Sequence, residues 1–531
     1  MKTILLNTKE NMYRKGPIMI TSKLHIQNFS NKFIHIFGII FLFFTFVYTY
    51  RNFNNLIVIT FGSIVMVVTL IVLFIRFKTQ IDNLTNRQMY LFLLLFSIFM
   101  IISMTYTSYI MLSKPLNDLG TVYYSVGEII KYGHISTVIN QYTTCAWSTH
   151  TSNNDYFVIY PNNQFILFFL LCYYKLLSFA GIFVGSNLSN FMGSLLNVVM
   201  IFLTILFGFL SCKKVWKNSG ALMYLILSSF FLPYYINACR YYTDTLSMPF
   251  TSCSIFLLLQ LQEAKDRKNK IIYSSLTGII LALGILLKGS LYVLLVAVVI
   301  YFILTIKNFR QISLLLVMIF SLSSINFIWS QYINHCSWID TSHKNELQVP
   351  VTHWIMMASI GNGGFRQQDL DYTLSFKTEA AKTNATINMA IKRIKSYNSL
   401  PNYLNFEFDK VGLSLADGKF AESEQLSWYE KKTWIYDYIL EDGKHYNLFY
   451  TYITIFIGGM YILIFISFIC EVFKKKITKG LLVNLCFMGM VLFFMLWEVK
   501  SRYFMNFTPI YFMCAVNALD GIGKFKNFSK K

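Results

Sequence analysis

Six charged residues lie beside long apolar segments, where burial of an ionisable side chain is costly and such residues are functional hypotheses by default. They are Asp118, Arg240, Asp244, Lys288, Glu498 and Arg502. A carboxylate in such a position can act as a general base. Guanidinium and ammonium groups can stabilise negative charge that grows during a reaction. The residue types predict an active site at a membrane surface, provided that loops far apart in sequence bring them together.

The same residues have structural interpretations. Arg240 and Asp244 are four residues apart, as are Glu498 and Arg502, which is the spacing of an ion pair across one helical turn. Lys288 could extend towards lipid headgroups from the end of a span. Asp118 could cap the amino terminus of a helix. Both interpretations stay open at the level of sequence.

Twelve apolar segments are the elements that would position these residues. The 531 residues are 55% hydrophobic and 13% charged, which a water-soluble domain could hardly cover with polar surface. Windows of roughly 17–25 residues suffice to cross a bilayer. They lie at 33–50, 55–75, 89–112, 191–211, 220–237, 246–262, 271–287, 289–306, 311–330, 448–472, 481–497 and 503–519. The pattern predicts an all-α polytopic membrane protein in the plasma membrane.

Basic runs between the windows predict the orientation, because cytoplasmic loops are rich in Lys and Arg. The runs lie at 76–87, 213–217, 265–270, 307–310, 474–479 and 524–531. With residues 1–32 and 520–531 as cytoplasmic tails, every run lies inside if a single crossing separates Asn163 from Lys213. The net charge of +21 is thereby explained, and nucleic acid is not a predicted partner.

The segment 164–183 is also apolar and would make a thirteenth crossing. Because a crossing there would invert everything downstream, we predict that it lies along the outer interface or enters and leaves on one side. Lys175, Tyr173 and Tyr174 in its middle favour this interpretation. All six charged residues then face the outer side. A full crossing by this segment stays open as the alternative if another window lies at the interface instead.

Two hydrophilic segments are predicted outside, at 113–163 and 331–447. The second holds 14 of the 25 acidic residues and is long enough for a small domain, with a predicted helix at 378–396. The nine cysteines are scattered singly, without metal-ligand spacing; Cys145 and Cys336 could form a disulfide outside or remain free thiols. No Walker A or GxSxG motif is present.

Four motifs in order resemble the GT-C superfamily of membrane glycosyltransferases. They are Asp118 in the first outer loop, Tyr160-Pro-Asn-Asn163 before an apolar helix, the YTDT turn at 242–245, and Glu498 with Arg502 and Tyr503 near the carboxyl terminus. Relatives include protein O-mannosyltransferases, aminoarabinose transferases that modify lipid A, and Gram-positive cell-envelope enzymes. The resemblance covers roughly 89–519 and leaves two extra helices at 33–88 without a role. It departs where many members have two adjacent acids, because Asn117 precedes Asp118; either one acid suffices or Glu128 contributes.

The resemblance implies a GT-C-like bundle with a large extracytoplasmic loop domain, and transfer of a sugar from a polyprenyl-phosphate donor with inversion. Asp118 would be the base, and Arg502, Arg240 and Lys288 would bind the donor phosphate. Further roles are implied in orienting the cations or contacting the sugar for Asp244, Glu498, Tyr503, Tyr160, Asn162 and Asn163, and in the acceptor loop for His353, Arg366 and Asp369. The implied partners are the lipid-linked donor, the bilayer, and a glycopolymer, lipid or protein acceptor. No cofactor is required by the pattern, and a divalent metal stays an open question.

Three other functions remain open. A flippase or transporter would place ionisable groups near the bilayer midplane and show repeat symmetry, and neither is evident in the sequence. A polysaccharide polymerase or ligase would share the large outer loop and lipid-linked donor without needing Asp118 as base. A non-catalytic membrane scaffold would tolerate single replacements of the outer charges.

Overall fold

The computed structural model of the protein describes residues 2–137, 152–306, 308–420 and 433–528, which form helices and turns without a strand. The helices of the amino-terminal half are α1 Lys2–Arg51, α2 Leu56–Asp82, α3 Asn86–Ile110, α4 Asn117–Tyr132, α5 Asn153–Ile159, α6 Gln164–Phe179, α7 Asn187–Ser229, α8 Pro233–Ile236, α9 Thr243–Leu246 and α10 Met248–Glu263. They are followed by α11 Arg267–Leu287, α12 Tyr292–Thr305, α13 Phe309–Asn334, α14 Lys344–Leu347, α15 Val351–Ala358, α16 Gln367–Leu374, α17 Glu379–Lys395, α18 Leu400–Ala416, α19 Tyr436–Ile439, α20 Tyr446–Val472, α21 Gly480–Leu496 and α22 Thr508–Phe528. Three 3₁₀ segments, Pro161–Asn163, Gly289–Leu291 and Ser501–Phe507, join neighbouring helices.

Long apolar helices dominate the described chain. By length and composition, seven described helices can cross a membrane, or eight if a bent pair counts as one span. Each of the twelve predicted windows lies largely on helix. Large apolar side chains stay exposed on α2, such as Ile57 at 84% and Phe61 at 69%, and lipid makes such exposure favourable. The prediction of an all-α, multi-pass membrane protein is confirmed.

The helix α7 is a hairpin of two antiparallel arms. Its backbone breaks at Lys217, where φ is 60° and ψ is −160°. A Cβ added to Gly208 would lie 2.0 Å from the ring of Tyr224. A straight helix would separate these two residues by about 24 Å. The first arm contains the window predicted at 191–211. The second arm ends at Ser229, and the window predicted at 220–237 continues beyond it into α8.

Ion pairs join the helix ends that bear the predicted basic loops. Lys78 of α2 lies 2.8 Å from Asp520 of α22. Glu263 of α10 pairs with Lys214 of the α7 hairpin and lies 3.2 Å from Lys479, which precedes α21. Five elements therefore meet at one end of the bundle, which we call the basic end.

The segment predicted to lie at the interface, 164–183, contains α6. Together with α5 it forms a pair bent by 108°, as in a broken span or a re-entrant loop. Pro161 opens the second part, where its missing N–H leaves no helical hydrogen bond unmade. The bend brings the amide of Asn163 within 2.6 Å of the Tyr156 hydroxyl.

The two amino-terminal helices support the large loop and the bundle. Tyr48 of α1 donates to Oδ1 of Asn405 in α18 at 2.6 Å. A Cβ added to Gly412 of α18 would lie 2.9 Å from the backbone of Thr49, so the two helices are in close contact. Helix α2 packs against α20 and α7. The segment 33–88 had no role in the sequence interpretation. In the structure its helices pack against α18, α20 and α7.

Buried charges hold the loop domain together. Lys382 of α17 donates to the carbonyl oxygens of Glu346 at 2.5 Å and Gln348 at 3.1 Å. Arg393 of the same helix binds both oxygens of Asp369, at 2.5 and 3.0 Å. The stretch predicted as helix at 378–396 is α17. These bonds order the loop beside the bundle end opposite the basic end.

Candidate functional site

A cavity open to solvent, with about 480 Å³ of empty space when the adjoining solvent is included, lies where separate loops meet at the bundle end opposite the basic end. The first outer loop and α4 contribute Asn117 and Asp118, and the turn from α8 to α9 contributes Arg240 and Asp244. The loop domain contributes Phe420, and the segment before α22 contributes Arg502. Four of the six charged residues singled out by the sequence thus line one cavity.

Asp118 is held at the start of α4. Asn117 before it has a φ of 53°, a left-handed conformation that Asn tolerates better than most residues. The N-cap of α4 is Leu116 and no side chain caps the helix, so the capping interpretation of Asp118 is wrong. Its carboxylate instead accepts hydrogen bonds from Tyr156 at Oδ1 and from Arg502 at Oδ2, each at 3.0 Å.

Asp244 joins two cations. Its Oδ1 lies 2.6 Å from Nζ of Lys288, and its Oδ2 lies 3.7 Å from Nε of Arg502. The Lys288 side chain is 17% exposed, so it does not extend to headgroups as the structural interpretation supposed. Arg502 therefore links the two acids, Asp118 and Asp244, although their loops are far apart in sequence.

Aromatic rings surround the cations. Lys288 lies 4.2 Å above the ring of Tyr503, and Arg502 lies 5.6 Å from the same ring and 5.7 Å from that of Tyr242. Cation–π contacts of this kind stabilise a partly desolvated positive charge. The hydroxyl of Tyr503 donates to Oε1 of Glu498 at 3.1 Å. Glu498 therefore adjoins the cations through Tyr503.

Burial raises the pKa of Glu498 to about 7, because the hydrogen bond from Tyr503 and the nearby charge of Arg502 only partly offset the loss of solvation. A raised carboxyl pKa favours the protonated form in the folded protein. The protonated Glu498 carboxyl therefore contributes stability below the ordinary Glu pKa, and this contribution is lost as pH rises through about 7. At the same pH the ionised carboxylate adds negative charge beside the cations.

For the lipid-linked phosphate donor that the sequence resemblance implies, we expect binding to weaken between pH 6 and pH 8 because of that charge. The Glu498→Gln variant, which stays neutral, should lack this weakening, whereas the second ionisation of the lipid phosphate, with a pKa of about 6, affects binding to both proteins alike. Titration of decaprenyl phosphate, followed by tryptophan fluorescence in nanodiscs, measures both profiles. Glu379→Gln, at an exposed position of α17, is the matched control and should keep the slope. A Glu498→Gln profile as steep as that of the wild type would contradict the expectation.

A single buried amide holds the turn that bears Arg240. Nδ2 of Asn197 donates to the carbonyl oxygens of Asn237, Ala238 and Arg240 at 3.0, 3.0 and 2.9 Å. The carbonyls of Asn237 and Arg240 also accept from the backbone N–H groups of Arg240 and Tyr242, so the Asn197 amide adds a second hydrogen bond to each. The arm of α7 that contains Asn197 thereby fixes where the Arg240 backbone enters the cavity.

Replacement of this amide should loosen the turn. We expect Asn197→Leu to lower the free energy of unfolding by about 1–3 kcal/mol, since the turn loses the hydrogen bonds from the buried Asn197 amide. The melting temperature in detergent measures the effect. Asn326→Leu is the control, because its amide donates only to the carbonyl of Leu322 one turn earlier in its own helix. Equal melting temperatures of the two variants would show that the turn does not depend on Asn197.

The remaining predicted residues of the membrane-proximal set lie nearby. Asn163 is buried and joins Tyr156 to Tyr242, whose hydroxyl donates to Asn163 Oδ1 at 3.0 Å. Tyr160 contacts the ring of Tyr156, with ring centroids 5.3 Å apart. Asn162 is exposed beside them. Tyr156 and Tyr242 had no assigned role in the sequence; for Tyr156 the only signal was its place just before the YPNN motif.

The predicted acceptor-loop residues lie in the loop domain. His353 is buried, and its Nδ1 lies 2.7 Å from Oγ1 of Thr373. Burial lowers the pKa of His353 to about 4, so the ring is neutral at neutral pH. Asp369 forms an ion pair with Arg393. Arg366 is the N-cap residue of α16. His353 and Asp369 therefore bind other side chains of the loop domain. Their contact with an acceptor stays a prediction.

Two further sequence alternatives concern Glu128 and the cysteines. Glu128 accepts hydrogen bonds from the Ser136 backbone and from Asn153, and it lies about 15 Å along α4 from Asp118. Cys336 is a free thiol, whereas Cys145 lies outside the described residues. Over the described ranges, no three His, Cys, Asp or Glu side chains are grouped to share a metal.

The fold and this cavity define an all-α, multi-pass integral membrane protein with a charged site at one end of its bundle. The chain belongs to the family described as conserved hypothetical integral membrane protein, whose profile matches residues 26–521.

Two solved structures are similar to the chain at low identity. One is ArnT from Cupriavidus metallidurans bound to undecaprenyl phosphate, at 12% identity over 82% of this chain and 79% of that chain, with a TM-score of 0.34. The other is the same protein in the apo state, at 12% identity over 81% and 77%, with a TM-score of 0.32. No curated protein sequence matches. Because the sequence identity and the TM-scores are low, the family assignment rests on the sequence profile.

Proposed function

We propose that this protein is a membrane glycosyltransferase of the GT-C type. It transfers a sugar from a polyprenyl-phosphate donor to a cell-envelope acceptor on the outer face of the plasma membrane, with inversion. Asp118 is the general base, and Arg502, Lys288 and Arg240 bind the donor phosphate.

The observation behind the proposal is that two carboxylates, Asp118 and Asp244, and two guanidinium groups, Arg240 and Arg502, line a single cavity. Asp118 and Arg502 are 384 residues apart in sequence and 3.0 Å apart in space. Lys288 reaches the same cluster through Asp244 at 2.6 Å, and Arg240 lines the cavity beside them. Charges gathered from distant loops are costly to bury unless they are paired or used.

The cluster supplies the groups that glycosyl transfer needs. The acceptor hydroxyl attacks the anomeric carbon while Asp118 takes its proton, and the bond from that carbon to the phosphate oxygen breaks. Negative charge then grows on the departing lipid phosphate. Arg502 can bind it through two parallel hydrogen bonds, and Lys288 adds a second positive charge. Attack from the side opposite the phosphate inverts the anomeric configuration.

The resting cluster also suggests the order of events. Arg502 is paired with Asp118 and Asp244 in the structure. A donor phosphate competes with Asp118 for this guanidinium, and its arrival would free the carboxylate for the acceptor proton. The donor would therefore bind before catalysis can begin.

The proposal includes the predicted topology. Twelve crossings, with both termini in the cytoplasm, place the basic end inside and the cavity outside. The loop domain at 331–447 then faces the acceptor, whether a glycopolymer, a lipid or a protein.

Loss of one sugar from the cell envelope is the test. We expect envelope glycopolymers, lipids and glycoproteins from cells lacking the protein to lose one sugar substituent by mass spectrometry, and purified protein in nanodiscs to consume a matching polyprenyl-phosphate sugar. Polymers of altered length with unchanged sugar composition would indicate a polymerase or ligase instead. An unchanged set of envelope glycans would contradict the proposal.

A further inference from the structure

Three side chains join the proposed phosphate-binding cation to the proposed base. Tyr242 donates to Oδ1 of Asn163 at 3.0 Å, and Nδ2 of Asn163 donates to the Tyr156 hydroxyl at 2.6 Å. Tyr156 in turn donates to Oδ1 of Asp118 at 3.0 Å. The ring of Tyr242 also lies 5.7 Å from the guanidinium of Arg502.

The hydrogen bonds of this chain all point the same way. Asn163 has one amide oxygen and one amide nitrogen, and the chain uses the oxygen as acceptor and the nitrogen as donor. The hydroxyl of Tyr156 accepts from Asn163, so its own proton is directed to Asp118. Aligned hydrogen bonds polarise one another in a buried setting, and Asn163 is 6% exposed.

Among the described residues, Asp118 has Tyr156 as hydrogen-bond partner on one carboxylate oxygen and Arg502 on the other. Under the proposed function, the donor phosphate draws Arg502 away from Asp118 at the moment when the carboxylate must act. Without the hydrogen bond from Tyr156, the carboxylate would then be free to rotate about its Cα–Cβ and Cβ–Cγ bonds. A base needs hydrogen-bond geometry to the proton that it removes, and small misplacements cost large factors in rate.

We propose that Tyr242, Asn163 and Tyr156 form a positioning chain that holds Asp118 in its reactive orientation once Arg502 has moved to the donor phosphate. Tyr156 is the member that touches the base, Asn163 fixes the direction of its hydroxyl, and Tyr242 connects the chain to Arg502. The inference rests on the proposed transferase function. It assigns roles to Tyr156, which the sequence did not single out, and to Tyr242, which the sequence named only as part of the YTDT turn.

The test separates positioning from binding. Tyr156→Phe removes one hydroxyl and keeps the ring, so we expect kcat to fall about 10- to 100-fold, as for a lost hydrogen bond to a charged group. Binding of decaprenyl phosphate, which depends on the cations, should stay unchanged. Tyr242→Phe keeps the ring beside Arg502 and should likewise lower kcat without weakening lipid binding. The double variant Tyr156→Phe/Asn163→Leu should lose little more activity than Tyr156→Phe, because the two residues act through one bond.

The matched control is Tyr173→Phe. Its hydroxyl donates to the carbonyl of Met192 at 2.8 Å, so the same atom is removed from an ordinary structural hydrogen bond on α6. We expect wild-type kcat and lipid binding from this variant.

Three results would overturn the inference. If wild-type protein transfers sugar and Tyr156→Phe keeps its kcat, the positioning chain is wrong and the transferase function stands. If Tyr156→Phe loses lipid binding and melting temperature together with kcat, Tyr156 is a structural residue only. If wild-type protein binds decaprenyl phosphate but transfers no sugar, the proposed function fails and the inference fails with it.

Discussion

The Asp118→Asn variant should lose sugar transfer by about 10²- to 10⁴-fold, the usual contribution of a positioned general base. The amide has almost the shape of the carboxylate and can still accept from Tyr156, but it cannot take up the acceptor proton. Donor binding should be retained or slightly tightened, because a negative charge beside the lipid phosphate is removed. Single-turnover rates with the reconstituted protein, together with decaprenyl phosphate titrations, measure the two effects separately.

The control for this variant is Asp371→Asn, an exposed position in the loop domain whose carboxylate accepts from Gln367 at 2.8 Å. It should transfer at the wild-type rate. If Asp118→Asn transfers within about threefold of the wild type, Asp118 has no place in the mechanism, since a lost base costs far more.

Removal of the guanidinium from Arg502 should weaken both donor binding and turnover. We expect Arg502→Met to lower kcat/KM by about 10²- to 10³-fold, comparable to loss of a preorganised donor at a developing negative charge. Arg502→Lys keeps one positive charge but loses the planar fork, so it should recover only part of the activity. Steady-state kinetics over a range of donor concentrations give kcat and KM for each variant.

Stability must be followed in parallel, because Arg502→Met also leaves Asp118 and Asp244 without their shared cation. A lowered melting temperature that Arg502→Lys restores would agree with this pairing. Arg76→Met, at an exposed position on α2, controls for loss of an arginine elsewhere. Wild-type kcat/KM in Arg502→Met would exclude Arg502 from phosphate binding.

Much of the architecture could be predicted from the sequence because hydrophobic length is a local property. The length of an apolar run alone decides whether that run can cross the bilayer. The windows from 33–50 to 503–519 therefore correspond to helical segments. The hairpin of α7 was implied by basic residues between two apolar windows, and the break at Lys217 lies in that basic run. The bend between α5 and α6 lies just before the segment 164–183, which was predicted to lie at the interface or to enter and leave on one side.

The hydrogen-bond and ion-pair partners of the charged side chains could not be predicted from the sequence. The spacing of Glu498 and Arg502 suggested a local pair across one turn, but Glu498 accepts from Tyr503 and Arg502 pairs with Asp118 and Asp244. The residues lie in a 3₁₀ segment and the loop before it, where the α-helical spacing rule does not apply. Tyr156 was missed because a tyrosine in an apolar stretch is usually explained by packing.

By itself, the sequence determined that this chain is a helical membrane protein with its charges concentrated in loops, because the cost of placing polar groups in hydrocarbon acts on each segment alone. It also singled out Asp118, Arg240, Asp244, Lys288 and Arg502 as unusual for that reason. Only the tertiary structure decided which of them meet, since the partner of a buried charge is set by the packing of helices hundreds of residues apart. The pairing of Asp118 with Arg502, and the tyrosine and asparagine side chains that connect them, follow from that packing.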